Sequence, residues 1–267
     1  MLFNNQLDFF QKRQLICIYT QIRFGITMCE QTKNIFNISF FQFKSKLFVI
    51  ILLFGFSNFT YASKIGLSFY GGFNHPTHSS ANFKGASLSY GIADGSYSTD
   101  GWKGDSFKSP IYYGLRVYYQ PNLDHHWSFA LDFNHSKVKP EKLPSDIRRL
   151  EFTDGLNTLT INAIYSLKDS YFLDNIFPYF GFGIGISYPH VEVTGTSGSS
   201  GRTYDYQETG LAYQAMTGLT FPFNDSWEIF AEYRLTFTPI DATLVGGGNL
   251  KTDILNNQAS LGLIYRF

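Results

Sequence analysis

Hydrophobic and polar side chains alternate with a period of two in eight segments of the chain, and this pattern predicts eight β-strands with one apolar face each. In the first segment, for example, Ile65, Leu67 and Phe69 alternate with small or polar residues. An even number of strands suits a closed barrel, so the predicted fold class is all-β. The predicted strands span residues 64–73, 112–120, 127–136, 157–167, 179–188, 209–221, 227–237 and 255–267.

The opposite face of the strands distinguishes two kinds of barrel. A soluble barrel encloses its apolar face, whereas an outer-membrane barrel turns that face to lipid. Here the second face combines glycines with charges of both signs, which fits the narrow lumen of an eight-stranded antiparallel up-and-down transmembrane β-barrel. A secreted soluble barrel is the alternative. The charged residues of this face are Arg116, Asp132, Glu228, Glu232, Arg234 and Arg266.

The connections between the predicted strands alternate in length, which predicts an orientation. Long connections at 74–111, 138–156, 189–208 and 239–254 would be extracellular loops, and the short ones would be periplasmic turns. The chain ends on Leu261-x-Leu263-x-Tyr265-x-Phe267, which resembles the C-terminal signal of outer-membrane barrels. We therefore expect a monomer in the cell outer membrane, with the barrel-assembly machinery as its partner during biogenesis.

The first 62 residues are predicted to be an N-terminal extension and a cleaved signal peptide. The apolar run at 47–56 follows Lys44 and Lys46 and precedes small residues up to Ala62. Ten apolar residues are too few to cross a hydrocarbon core of about 30 Å as a helix, but they suit the core of a signal peptide. Residues 63–267 are then one barrel domain. Translation starting at Met28 or later stays open.

Composition excludes several classes of function. The chain has 21 basic and 21 acidic residues, so it lacks the positive charge of a nucleic-acid-binding protein. Cys17 and Cys29 both fall in the segment predicted to be removed, which leaves neither a disulfide nor a thiol nucleophile in the barrel domain. No nucleotide or flavin motif is found, because the G-x-G-x-G at 181–185 lies inside a predicted strand.

Histidines and carboxylates concentrate at the predicted extracellular ends of the strands and in the connections between them. His78, His135 and His190 are among them, and histidine together with carboxylate is a ligand set that divalent transition metals accept. None of these residues has a diagnostic metal-binding spacing, so solvated loop residues are the alternative interpretation. The accompanying acidic residues are Glu151, Asp154, Glu192, Glu208, Asp241 and Asp253.

Several segments resemble the lipid A oxidases of the bacterial outer membrane. They include SFYGGF with the following His78, LEFTDGLNTLTINA at 150–163 and PYFGFGIGISYPHVEV at 178–193. The resemblance covers nearly the whole barrel domain. It implies oxidation of the proximal glucosamine of lipid A to aminogluconate at the outer leaflet, with oxygen as the oxidant. Lipid A, or lipopolysaccharide, would be the partner molecule.

Combining this resemblance with the rim residues gives a predicted site. Its metal ligands would be His78 and His190, and a divalent transition metal would be the cofactor. Trp102 and Arg116 would bind substrate, although Arg116 fits equally well as a structural partner of a luminal carboxylate. A non-catalytic barrel of the opacity or adhesin type, with surface-exposed binding loops, is the alternative, and the count of only eight strands argues against a solute channel. The predicted catalytic residues are Glu151, Asp154 and Glu192.

Overall fold

The computed structural model describes residues 64–77, 79–121, 126–167, 175–196 and 201–267. The predicted N-terminal extension and signal peptide, and the proposed ligand His78, lie outside these residues. In the described part of the chain, no helix is long and apolar enough to span a membrane. The elements are β1 (Lys64–Pro76), β2 (Ser80–Lys84), α1 (Ser87–Tyr90), β3 (Gly95–Ser98), β4 (Trp102–Lys103), β5 (Tyr113–Gln120), β6 (Trp127–Pro140), β7 (Ile147–Ser166), β8 (Phe177–Ser187), β9 (His190–Gly195), β10 (Arg202–Tyr206), β11 (Gly210–Pro222), β12 (Trp227–Thr243) and β13 (Asn249–Arg266).

The strands pair antiparallel throughout, which confirms the predicted all-β antiparallel class. Strand β1 pairs with β13 on one side and with β5 on the other. The pairing continues from β5 through β6, β7, β8, β11 and β12 back to β13. Each of these strands therefore has two neighbours, and each overlaps one of the eight segments predicted from the alternating pattern.

The described residues hold thirteen strands rather than the eight that the sequence pattern predicts. The additional five strands lie in the connections that we expected to be loops. Strands β2, β3 and β4 lie within 74–111, and β9 and β10 form a hairpin within 189–208. They pair with β13, β6 and β7 at the places where these long strands extend beyond the predicted bounds. None of these strands is longer than six residues, which is too short for a periodic pattern to distinguish a strand from a loop.

A hydrophobic core joins the long connections at one end of the sheet, which we call the capped end. Trp102 and Phe152 pack with ring centroids 6.2 Å apart, and Leu150, Val193 and Leu250 are buried in the same cluster. All four long connections contribute to this core. The capped end is therefore a packed structure that can hold side chains in fixed positions.

The two faces of the paired strands differ sharply in polarity. One face leaves large apolar side chains exposed, among them Phe69, Phe182 and Leu261. A contiguous apolar surface of this kind marks contact with a membrane or another protein. On the other face, Arg116, Asp132, Glu232 and Arg234 are buried together.

Hydrogen bonds connect the four buried charged residues into one network. Arg116 donates through Nε to Asp132 Oδ2 at 2.9 Å and through Nη1 to Glu232 Oε2 at 2.7 Å. Arg234 contacts the same two carboxylates, and the Tyr179 hydroxyl donates to Glu232 Oε2 at 2.7 Å. Two positive and two negative charges thus compensate each other inside the sheet, as buried charges require.

Candidate functional site

Asp154, His190 and Glu192 meet at the capped end. Each offers one ligand atom, and the three atoms lie within 4.8 Å of one another. His190 Nδ1 is 3.1 Å from Glu192 Oε1 and 3.6 Å from Asp154 Oδ2. His190 and Glu192 are two residues apart on β9, so their side chains leave the same face of the strand. Asp154 reaches them from β7, the strand that pairs with β9.

Burial makes this cluster unlike an ordinary acidic surface. Glu192 is 1% exposed and His190 is 5% exposed, whereas the Asp154 side chain is 48% exposed. Thr153 Oγ1 donates to Glu192 Oε1 at 3.0 Å, but Glu192 Oε2 receives no hydrogen bond from the described residues. A buried carboxylate oxygen that receives no hydrogen bond is costly unless a positive charge lies beside it, and either the Arg149 guanidinium or a bound cation can supply that charge.

Arg149 and Glu151 place one positive and one further negative charge beside the cluster. Arg149 Nε lies 2.5 Å from Glu151 Oε1, and Arg149 Nη1 lies 3.0 Å from Glu192 Oε2 without the alignment of a hydrogen bond. Burial raises the pKa of the Glu151 carboxyl; the Arg149 charge opposes this rise and the neighbouring Glu192 adds to it. The Arg149 guanidinium therefore compensates two of the three carboxylates, Glu151 and Glu192.

Two tyrosines of β10 cover the histidine, and the sequence interpretation missed both. The ring centroids of Tyr204 and Tyr206 are 4.7 and 4.6 Å from that of His190. The Tyr206 hydroxyl donates to the backbone carbonyl of Asp154 at 2.9 Å, and Arg149 Nη1 donates to the Tyr204 hydroxyl at 3.2 Å. The alternation of Tyr204 and Tyr206 is typical of a strand. The segment has only five residues and follows a run of glycines and serines, so the sequence predicts a loop there.

The predicted substrate-binding residues lie elsewhere. Trp102 is 1% exposed, and its Nε1 donates to Ser79 Oγ at 2.8 Å within the core of the capped end. Arg116 is fully buried in the charge network with Asp132 and Glu232, which is the structural role that the sequence left open. Among the described contacts, neither side chain touches Asp154, His190 or Glu192.

A closed sequence of antiparallel strands with apolar side chains outside and paired charges inside defines an outer-membrane type of β-barrel protein. The family model "Outer membrane protein beta-barrel domain" matches residues 58–267. The chain belongs to this family, and the predicted location in the outer membrane is confirmed. The family describes the barrel domain and names no activity.

Solved structures of small outer-membrane proteins are similar to this chain. Neisserial surface protein A is 16% identical over 77% of this chain and 97% of its own, with a TM-score of 0.36. OprG from Pseudomonas aeruginosa is 13% identical over 78% and 96%, with a TM-score of 0.41. Ail, the attachment invasion locus protein of Yersinia pestis, is 14% identical over 77% and 97%, with a TM-score of 0.34. The comparison with curated proteins found no match.

Proposed function

We propose that this protein is an eight-stranded up-and-down transmembrane β-barrel that oxidises the proximal glucosamine of lipid A to aminogluconate at the outer leaflet. The observation that carries the proposal is the cluster of Asp154, His190 and Glu192 at the capped end. The same residues fall inside the segments that resemble lipid A oxidases. With the capped end outside the cell, the cluster is at the level where the outer leaflet presents lipid A. Every barrel strand is paired on both sides, so no strand edge is free to pair with a second copy, which supports a monomer.

The proposed reaction is a two-electron oxidation at C1 of the sugar in its hemiacetal form. The C1–H and the C1 hydroxyl lose two protons and two electrons in total, and the product is a lactone. Oxygen accepts these protons and electrons and becomes hydrogen peroxide. Water then opens the lactone to the aminogluconate, so lipid A gains the mass of one oxygen atom.

The residues of the cluster have separate roles in this proposal. Asp154, His190 and Glu192 would hold a divalent transition metal, and their mixed imidazole and carboxylate donors suit such an ion. The metal would provide the path for electrons between sugar and oxygen, which side chains alone do not offer. Glu151 lies beside the cluster, and its raised pKa suits a group that accepts the proton of the C1 hydroxyl.

A non-catalytic barrel of the opacity or adhesin type is the second candidate. Two observations favour it. Arg149 pairs with Glu151 and Glu192, so these carboxylates belong to an ion-pair cluster that fixes the β9–β10 hairpin on β7. The guanidinium of Arg202 also stacks on Tyr204 at 4.4 Å, which gives the hairpin a cationic and aromatic surface suited to binding.

Mass spectrometry of lipid A distinguishes the two candidates. We expect cells that carry the gene to contain lipid A heavier by one oxygen on the proximal sugar than cells that lack it. The Glu192→Gln variant should abolish this product, because it removes the buried negative charge from the metal site. Identical lipid A masses in both strains, with the barrel present in the outer membrane, would refute the oxidase and leave the binding barrel.

A further inference from the structure

A cleft of about 560 Å³ opens on the outward, apolar face of the strands, next to the cluster of Asp154, His190 and Glu192. It runs across β5, β6, β7 and β8. Asp154 belongs both to this cleft and to the cluster with His190 and Glu192, so the two sites are adjacent. The cleft is lined by Tyr113, Phe133, His135, Asp154, Asn157, Thr158, Leu159, Ile186, Tyr188 and Tyr206.

Strand register divides the lining into two rows. The lower row is the one farther from the capped end. In it, Phe133 is opposite Leu159, and Leu159 is opposite Ile186, so this row is apolar. In the upper row, Tyr113 is opposite His135, and His135 is opposite Asn157. Because the family places this outward face in the membrane, the step between the rows marks the edge of the hydrocarbon region. An occupant of the cleft therefore needs an acyl chain below and a polar head above.

His135 is an unusual residue for such a position. It lies on the outward face of β6 but is only 6% exposed. Its Nδ1 is 2.9 Å from Asn157 Oδ1, which can only accept, so Nδ1 donates. The other nitrogen of the neutral ring, Nε2, is then an acceptor, and it is buried without a partner. Gly155 makes room for the ring, because a Cβ at this glycine would come within 2.5 Å of His135 Nδ1.

The polar end of the cleft has the features of a sugar site. The Asp154 carboxylate is half exposed there and can accept hydrogen bonds from hydroxyl groups. Tyr188 and Tyr206 stack in parallel with ring centroids 6.1 Å apart, and both rings are exposed. Aromatic rings, a carboxylate and an imidazole acceptor together suit a hydroxyl-rich ring.

We propose that this cleft binds the glycolipid of the outer leaflet, with an acyl chain on Phe133, Leu159 and Ile186 and a sugar hydroxyl on His135 Nε2. The inference rests on the proposed function, to which it adds the side from which the substrate arrives. Lipid A enters laterally from the membrane. Its sugar then reaches His190 and Glu192 by way of Asp154, which borders both the cleft and the proposed metal site. His135 is a substrate-binding residue in this arrangement.

Filling the cleft with a larger side chain tests the proposal. In the Ile186→Trp variant the indole occupies the apolar row, and Ile184→Trp is the matched control because Ile184 is on the same outward face of β8 but outside the cleft. Lipid A or phosphatidylethanolamine is added to the purified protein in detergent, and bound lipid is counted by native mass spectrometry. We expect Ile186→Trp to bind lipid A at least about tenfold more weakly than wild type, and Ile184→Trp to bind it normally.

A second variant tests the head-group contact. His135→Phe keeps a ring against Tyr113 and removes the acceptor nitrogen. It should weaken lipid A binding about tenfold and leave phosphatidylethanolamine binding unchanged, since only the sugar loses a hydrogen bond. Faster migration of unboiled samples on gels establishes that each variant is folded.

The outcomes separate this inference from the proposed function. If the wild-type protein binds lipid A in the cleft but the mass of lipid A in cells is unchanged, the proposed lipid-binding cleft is supported and the oxidase is refuted. Normal lipid A binding and oxidation by both folded cleft variants overturns the cleft and leaves the oxidase intact. Equal binding of lipid A and phosphatidylethanolamine by the wild type also overturns the proposal, because the cleft would then be ordinary annular lipid contact.

Discussion

Glu151 and Glu192 lie directly opposite each other where β7 pairs with β9, and Arg149 contacts both carboxylates. Like charges in opposed positions repel, so the hairpin stays in place because the guanidinium lies between them. This arrangement is also the point at which the structural and metal-binding interpretations of the site make different predictions.

Replacing Arg149 by Gln tests the balance between these interpretations. Without the guanidinium the carboxylates lose their counter-charge, so a divalent metal should bind about tenfold more tightly and the metal-free protein should be less stable. Titration calorimetry with Co²⁺ and thermal unfolding in detergent measure the two effects. Arg148→Gln is the matched control, since Arg148 is the exposed neighbour. Loss of stability without any Co²⁺ binding in either protein would favour the purely structural ion-pair cluster.

His190→Ala should weaken specific metal binding. The substitution removes the single imidazole from the cluster, and we expect Co²⁺ affinity to fall by roughly 10- to 100-fold, with loss of lipid A oxidation. His75→Ala is the control, because His75 is an exposed histidine on the outward face of β1. The predicted ligand role of His78 is tested by the same titration on His78→Ala. Full oxidation by His190→Ala would remove His190 from the site.

Glu232→Gln should destabilise the barrel strongly. Glu232 compensates Arg116 and Arg234 in the buried network, and removal of one partner leaves an uncompensated charge that costs roughly 3–5 kcal/mol. Urea unfolding in lipid vesicles measures the loss. Glu228→Gln, which breaks the partly exposed pair with Arg266, should cost about 1 kcal/mol or less. Equal costs for the two variants would contradict a tightly coupled interior.

Substitutions of Trp102 separate a structural role from substrate binding. Trp102→Ala should destabilise the capped end by about 3–5 kcal/mol, because it leaves a cavity against Phe152. Trp102→Phe retains most of the packing, so it should leave lipid A oxidation within about twofold of wild type. Limited proteolysis of the 79–110 segment reports the first effect. Complete loss of oxidation in a stable Trp102→Phe protein would instead support the predicted role of Trp102 in binding substrate.

Much of the strand layout follows from sequence alone. A side chain in a strand leaves the face opposite to that of its neighbour, so the alternation from Ile65 to Phe69 already assigns those residues to the apolar side. The same local rule places Arg116, Asp132 and Glu232 on the opposite face. It cannot show that these three side chains are bonded to one another, because they come from three different strands.

The site at the capped end depends on contacts that a local pattern does not encode. His190 and Glu192 share a face of β9 by spacing alone, but their approach to Asp154 requires the β9–β10 hairpin to pair with the extension of β7. That pairing is held by packing between residues such as Leu150 and Val193, which are far apart along the chain. The sequence by itself determined the eight long strands, which of their faces meets the membrane and which residue types gather at one end. Only the tertiary structure decided which of those residues touch, since long-range packing rather than residue spacing fixes how the connections fold.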